Sequence, residues 1–239
     1  AITRCEAFID SLKNVKPFYQ GKKLSDDVPT RVLAEKKKRT IYIPYMCDHG
    51  RMIAASMKAN GVLAEALPMA NKETVDVGRK FTSGKECYPA ILTTGDIVKK
   101  AMSPDFDPEA SAFFMATASG PCRFGQYNKF HRMVLDELGL PHVPIYTMDQ
   151  GQNYDEDTKN LGTNFRKLAW NGIMYTDLLQ KLQRETRPYE LHKGEADSLY
   201  EKYVKKAELA LEKHLNLVEI ASEANSAFAK IQVDRSKPR

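Results

Sequence analysis

No apolar run in this chain of 239 residues approaches the roughly 20 residues that a membrane-spanning helix needs. Nor does the chain open on the charged, apolar and small-residue succession of a secretory signal. Both absences point to a cytoplasmic protein, and a chain that begins at Ala1 rather than Met is expected to have lost its natural start. Cysteine is scarce, with four in all, and no two are spaced as C-x-x-C. In a reducing compartment so few cysteines argue against structural disulfides, and the missing close pair removes the usual signature of structural zinc. The chain has no glycine-rich phosphate loop, so ATP is expected to bind elsewhere or on a partner. Internal repeats and low-complexity tracts are also lacking. The net charge of +5 comes partly from Lys36-Lys37-Lys38-Arg39. No stripe of basic and aromatic residues accompanies that run, so it reads as a solvated approach to the first strand and not as a nucleic-acid site.

What is present is an ordinary composition, 42% hydrophobic and 28% charged, long enough for one or two domains. Apolar runs at 40–46, 62–69, 111–118 and 142–148 read as strands. Between them lie helical patterns: 52–59, a stretch opened by Pro89, and one carrying Phe124, Tyr127, Phe130, Val134 and Leu138 on one face before Gly139 stops it. Alternating strands and helices predict an α/β fold, a flavodoxin-like or Rossmann-like parallel sheet of about four strands. From Phe165 the pattern changes to long amphipathic helices. One ends near Arg187-Pro188, and a second runs over 195–231 with an interruption expected at Asn216. Three regions follow: a helical lead-in at 1–39 with Ile9, Leu12 and Val15, the α/β domain at 40–150, and a helical region at 151–239 that needs a partner surface for its apolar stripes.

Three of the cysteines share one kind of position. Cys47, Cys87 and Cys122 each stand where a helical pattern is about to start: Cys47 and Cys122 follow strands, and Cys87 opens the helix before the third strand. In a parallel sheet the strand-to-helix loops emerge at the carboxyl edge, and ligands bind there where the strand order reverses. With a flavodoxin-like order the loops carrying Cys47 and Cys122 are expected to flank that crevice, within reach of Cys87, and Asp149-Gln150-Gly151-Gln152-Asn153-Tyr154 closes the fourth strand at the same edge. Cys5 stands apart and reads as a small packed residue.

Several chemistries suit such thiols. A nucleophilic cysteine needs a base, and Cys47 with His49 or Cys122 with His131 would supply one while leaving two thiols unused. Zinc would need His49 to complete a long-range site of three cysteines and one histidine. An iron-sulfur cluster suits all three thiols best. Helix N-termini stabilise anionic sulfur, and Gly50, Gly84 and Gly120 would let backbone N–H groups come close. A non-enzymatic docking or scaffold domain with incidental cysteines remains the competing class.

At these residues the sequence also carries a resemblance. IPYMCDHG at 43–50, GKECYPAILTTGD at 84–96 and GPCRFGQYNKF at 120–130 resemble the acyl-CoA dehydratase activase-related proteins, which are similar to 2-hydroxyacyl-CoA dehydratase subunits and double-cubane cluster proteins. The resemblance covers most of 40–232. It implies that Cys47, Cys87 and Cys122 ligate a four-iron four-sulfur cluster, or half of a double-cubane cluster, in a dehydratase-like or reductase-like system. It implies electrons from an ATP-hydrolysing iron-sulfur activator, and either a homo-oligomer or a second sheet domain, which Lys237-Pro238-Arg239 would approach. Asp48, His49, Arg51, Glu86 and Arg123 are neighbours to which it assigns no role.

Overall fold

Thr40–Ile43 reads TIYI, a run of β-branched and aromatic residues, and it forms β1 at the middle of the sheet. The computed structural model of the chain describes residues 39–118, 120–147, 164–234 and 236. The lead-in with Cys5, Lys36 to Lys38, the loop from Asp149 to Tyr154 and the closing Lys237-Pro238-Arg239 lie outside the described residues.

Side chains of β1 alternate between two buried faces, as a central parallel strand requires. Ile41 and Ile43 join one apolar cluster and Tyr42 another. The same alternation runs through β3 (Ser111–Phe114), with Ala112 and Phe114 on the first face and Phe113 on the second. With β2 (Ala64–Ala66) and β4 (Ile145–Tyr146) these strands form a sheet in the order β2-β1-β3-β4. All pairings are parallel, with Ile41 opposite Ala64 and Ala112, and Phe113 opposite Ile145. The chain steps outward from β1 to β2, then crosses back over β1 to β3. The strand order therefore reverses between β1 and β3. This is the α/β parallel sheet that the alternating pattern predicts.

Seven α-helices are described: α1 (His49–Ala59), α2 (Lys72–Lys80), α3 (Tyr88–Ala101), α4 (Tyr127–Glu137), α5 (Phe165–Thr186), α6 (Glu195–Glu212) and α7 (Leu217–Phe228). Ala54 and Met57 of α1 and Phe165 and Ala169 of α5 cover the Ile41 face. Ile97 of α3 and Leu135 of α4 cover the Tyr42 face. α6 and α7 form an outer layer, where Tyr203, Val204, Leu211 and Phe228 pack with Met52 of α1 and Leu179 of α5. That layer satisfies the long apolar stripes of the C-terminal helices.

Several elements differ in extent from the sequence expectation, each for a local reason. β1 stops after Ile43 because Pro44 has no N–H to continue the ladder, and the next amide, Tyr45 N, donates to Asp96 Oδ2 of α3 at 3.0 Å. The connection after β2 contains α2, which sequence periodicity passed over because the segment is largely polar. Its signal was present in Asn71 and Thr74, which form a reciprocal capping box. α2 crosses α3 so closely that a Cβ on Gly78 would sit 2.0 Å from Ile91 O, and one on Gly95 would sit 2.0 Å from Thr74 O. The long C-terminal helix does break, with Asn216 capping α7 by accepting from Val218 N. Arg39 is no solvated approach residue: its Nη1 donates to Pro108 O at 2.7 Å and Ser111 O at 2.9 Å, tying the start of β1 to that of β3.

Candidate functional site

Cys47 sits in the loop after β1, two residues before α1. Its carbonyl accepts from Gly50 N at 3.0 Å and closes the first turn there. Cys87 is the N-cap of α3, with Pro89 in the first turn. Cys122 is the N-cap of a short 3-10 helix, Arg123–Gln126, that leads into α4. The loops carrying Cys47 and Cys122 thus leave the two strands that flank the reversal point, and Cys87 begins a helix covering the Tyr42 face. All three are free thiols; Cys47 and Cys122 are exposed and Cys87 is half-buried. Cys87 packs against the apolar cluster of Ala90, Met115 and Tyr127, whereas unpaired cysteine is among the most buried residue types in proteins and apolar packing does not account for the exposed Cys47 and Cys122.

Two glycines shape the cysteine loops through backbone conformation. Gly84 and Gly120 adopt φ of +83° and +122°, values that other residues rarely take. Gly50 needs no such freedom. It lies inside α1, and a Cβ there would meet only Ile43 Cγ2 at 3.7 Å.

The side chains around Cys87 favour its thiolate. Tyr127 OH lies 2.5 Å from Cys87 Sγ, and its hydrogen bond holds the thiol pKa below the ordinary value against the opposing effect of burial. The Ala90 amide and the charge of Arg123 act in the same direction. Burial, then the contact with Cys87 and the charges of Cys87 and Cys122, push the Tyr127 phenol up, so it stays protonated and donates. Arg123 Nη1 donates to Lys85 O at 2.6 Å and fastens the Cys122 segment to the Cys87 loop. Glu86 Oε1 accepts from Ser83 Oγ and Oε2 from Lys85 N, which orders that loop further.

Cys47 has a different environment. His49 Nδ1 lies 3.2 Å from its Sγ, and His49 Nε2 lies 2.9 Å from Asp177 Oδ1 of α5. Asp48 accepts from two phenols, Tyr45 OH at 2.7 Å and Tyr200 OH at 2.6 Å. Arg51 spans to α6, with Nε and Nη2 on the two oxygens of Glu208 and Nη1 on Glu201. A cavity of about 350 Å³ opens beside this loop, and its five carboxylates outnumber Arg51 and Lys58.

The imagined partnership of Cys122 with His131 is not formed. His131 is fully buried, its Nε2 lies 3.2 Å from Thr93 Oγ1, and burial drives its pKa down to about 3, which leaves it neutral. Sequence reasoning missed Tyr127 as a thiol partner, because its place on the apolar face of α4 hides its hydroxyl. It also missed Asp177, which lies 128 residues from His49.

The donor chemistry suits an iron-sulfur cluster: three accessible thiols at helix N-termini, one with its thiolate already favoured. The fold gathers them at one edge, yet among the described residues no group of three His, Cys, Asp or Glu side chains converges to hold a metal ion. Among the described residues no helix is long and apolar enough to cross a membrane. Comparison with protein families, curated proteins and solved structures finds no match.

Proposed function

We propose that this chain is a redox domain that holds an iron-sulfur cluster at the β1/β3 reversal point through Cys47, Cys87 and Cys122. One observation carries the reading: three free thiols, none of them buried, all stand at the edge where parallel α/β sheets bind ligands. The resemblance of the three cysteine motifs supports the same reading. It adds a four-iron cluster or half of a double-cubane cluster, a dehydratase-like or reductase-like system, and an ATP-hydrolysing iron-sulfur activator as the electron source.

Such a group supplies one-electron transfer and, where an iron lacks a cysteine ligand, a Lewis-acid position. The chain's own residues prepare the thiols. Tyr127 donates to Cys87, the amides at the start of α3 stabilise negative sulfur, and Arg123 joins two cysteine segments. With three cysteines at the edge, one iron is expected to take a ligand other than cysteine. The test is anaerobic reconstitution with iron and sulfide, followed by low-temperature EPR of the reduced protein with and without cyanide as a small iron ligand. A cluster signal that shifts with cyanide is expected. Failure to incorporate iron and sulfide would remove the reading, and an unresponsive signal would make the site a closed relay.

The row Cys47, His49, Asp177 favours a second reading, in which Cys47 acts alone as a nucleophile. His49 would take the thiol proton and Asp177 would orient the ring. Alkylation of Cys47 that slows on His49→Ala and on Asp177→Asn, in a protein that takes up no iron, is the result that would select it.

A further inference from the structure

α5 presents a stripe to solvent beside the cysteine edge. At 100° per residue, positions 167, 170, 174, 177, 181 and 184 fall within an arc of about 100°, and all six are exposed. Trp170, the chain's sole tryptophan, is 62% exposed, and Met174, one turn on, is 54% exposed. Lys167 precedes this apolar pair, and Lys181 and Arg184 follow it. The arc also takes in Arg166 and Glu185, and Glu185 Oε1 lies 4.0 Å from Lys181 Nζ. Its other carboxylate, Asp177, is turned toward His49, whose other ring nitrogen meets Cys47. The centre of the stripe therefore adjoins the Cys47 loop.

We infer that this face of α5 is the docking surface for an acidic protein electron carrier, a partner separate from the ATP-hydrolysing activator and one with which the site also exchanges electrons. An aromatic and a methionine at the centre with charges around them match the anatomy of a protein interface, where such side chains supply most of the binding energy. Charge selects the occupant. Four cations, Arg166, Lys167, Lys181 and Arg184, share the arc with two carboxylates that are already engaged, Asp177 with His49 and Glu185 with Lys181, so an acidic surface is attracted and a second copy of the same stripe is repelled. Two apolar side chains on one helix face are too few to bury in a lipid interface, which disfavours a membrane. The place beside Cys47 selects a carrier over other acidic proteins, and this step rests on the proposed redox function.

The test uses the full chain, with and without reconstituted cluster, titrated with an acidic two-iron ferredoxin and, as the basic control, with cytochrome c. Ferredoxin is expected to bind in the calorimeter, to quench Trp170 fluorescence and to weaken as salt is added. Trp170→Ser and the double change Lys181→Glu with Arg184→Glu are expected to lower its affinity about tenfold or more. Both variants alter exposed positions, and an unchanged circular dichroism spectrum confirms that they fold. Binding of cytochrome c with equal affinity, indifference to both variants, self-association through Trp170, or binding to phosphatidylserine vesicles instead would each overturn the inference. A chain that holds a cluster and ignores ferredoxin loses only the docking face. One that binds ferredoxin through α5 and takes up no iron keeps the face and loses the redox reading.

Discussion

Asp96 offers a direct probe of how the Cys47 loop is held. It is 5% exposed on α3, accepts from Tyr45 N at 3.0 Å, and burial raises its pKa from 3.8 to about 7 against the opposing pull of that amide and of Lys99. A carboxyl group with a raised folded pKa gives its full stabilisation below the unfolded value and loses it as pH climbs through the folded value. Between about pH 5 and about pH 8 the wild type is therefore expected to lose about 2–3 kcal/mol that a non-ionising residue would keep. Asp96→Asn retains an acceptor for Tyr45 N and cannot ionise. Urea denaturation of both proteins across this range measures the difference directly. The variant should gain on the wild type as pH rises. Parallel profiles, with a constant difference, would refute the reasoning and show that Asp96 carries its charge in the fold at little cost.

Gly95→Ala should destabilise the protein by about 2–3 kcal/mol, because the added Cβ meets the Thr74 carbonyl and rigid backbone must move; thermal unfolding reads this. Glu190→Ala should cost about 1–3 kcal/mol, since its buried carboxylate accepts from Gly194 N and Ala196 N and so caps α6; urea titration measures it. Tyr127→Phe removes the hydrogen bond that lowers the Cys87 pKa, so iodoacetamide should modify Cys87 roughly threefold to tenfold more slowly at neutral pH, counted by mass spectrometry. If an activator supplies the electrons, the isolated chain should show no tight ATP binding by calorimetry.

The strands of this fold were legible because TIYI and SAFF are apolar on both faces, which only a central parallel strand requires. Alternation with helices left a flavodoxin-like and a Rossmann-like order both open, and β2-β1-β3-β4 is the flavodoxin-like one. α2 was not legible from periodicity. It meets α3 through Gly78 and Gly95, which add nothing to an apolar stripe, and only the Asn71 and Thr74 cap announced it. The positions of Cys47, Cys87 and Cys122 at one edge could be read from their places before helices. Their surroundings could not, because Asp177 reaches His49 from another helix and the Tyr127 hydroxyl sits on a side chain that reads as apolar. Long-range polar contacts of this kind leave no periodic trace.

The central claim is that Cys47, Cys87 and Cys122 hold the proposed cluster, and the iron and acid-labile sulfide retained by four single cysteine-to-serine variants after anaerobic reconstitution test it most directly. Cys47→Ser, Cys87→Ser and Cys122→Ser should each lose most of both elements, while Cys5→Ser retains the wild-type content. Full iron and sulfide in all four variants would contradict the assignment.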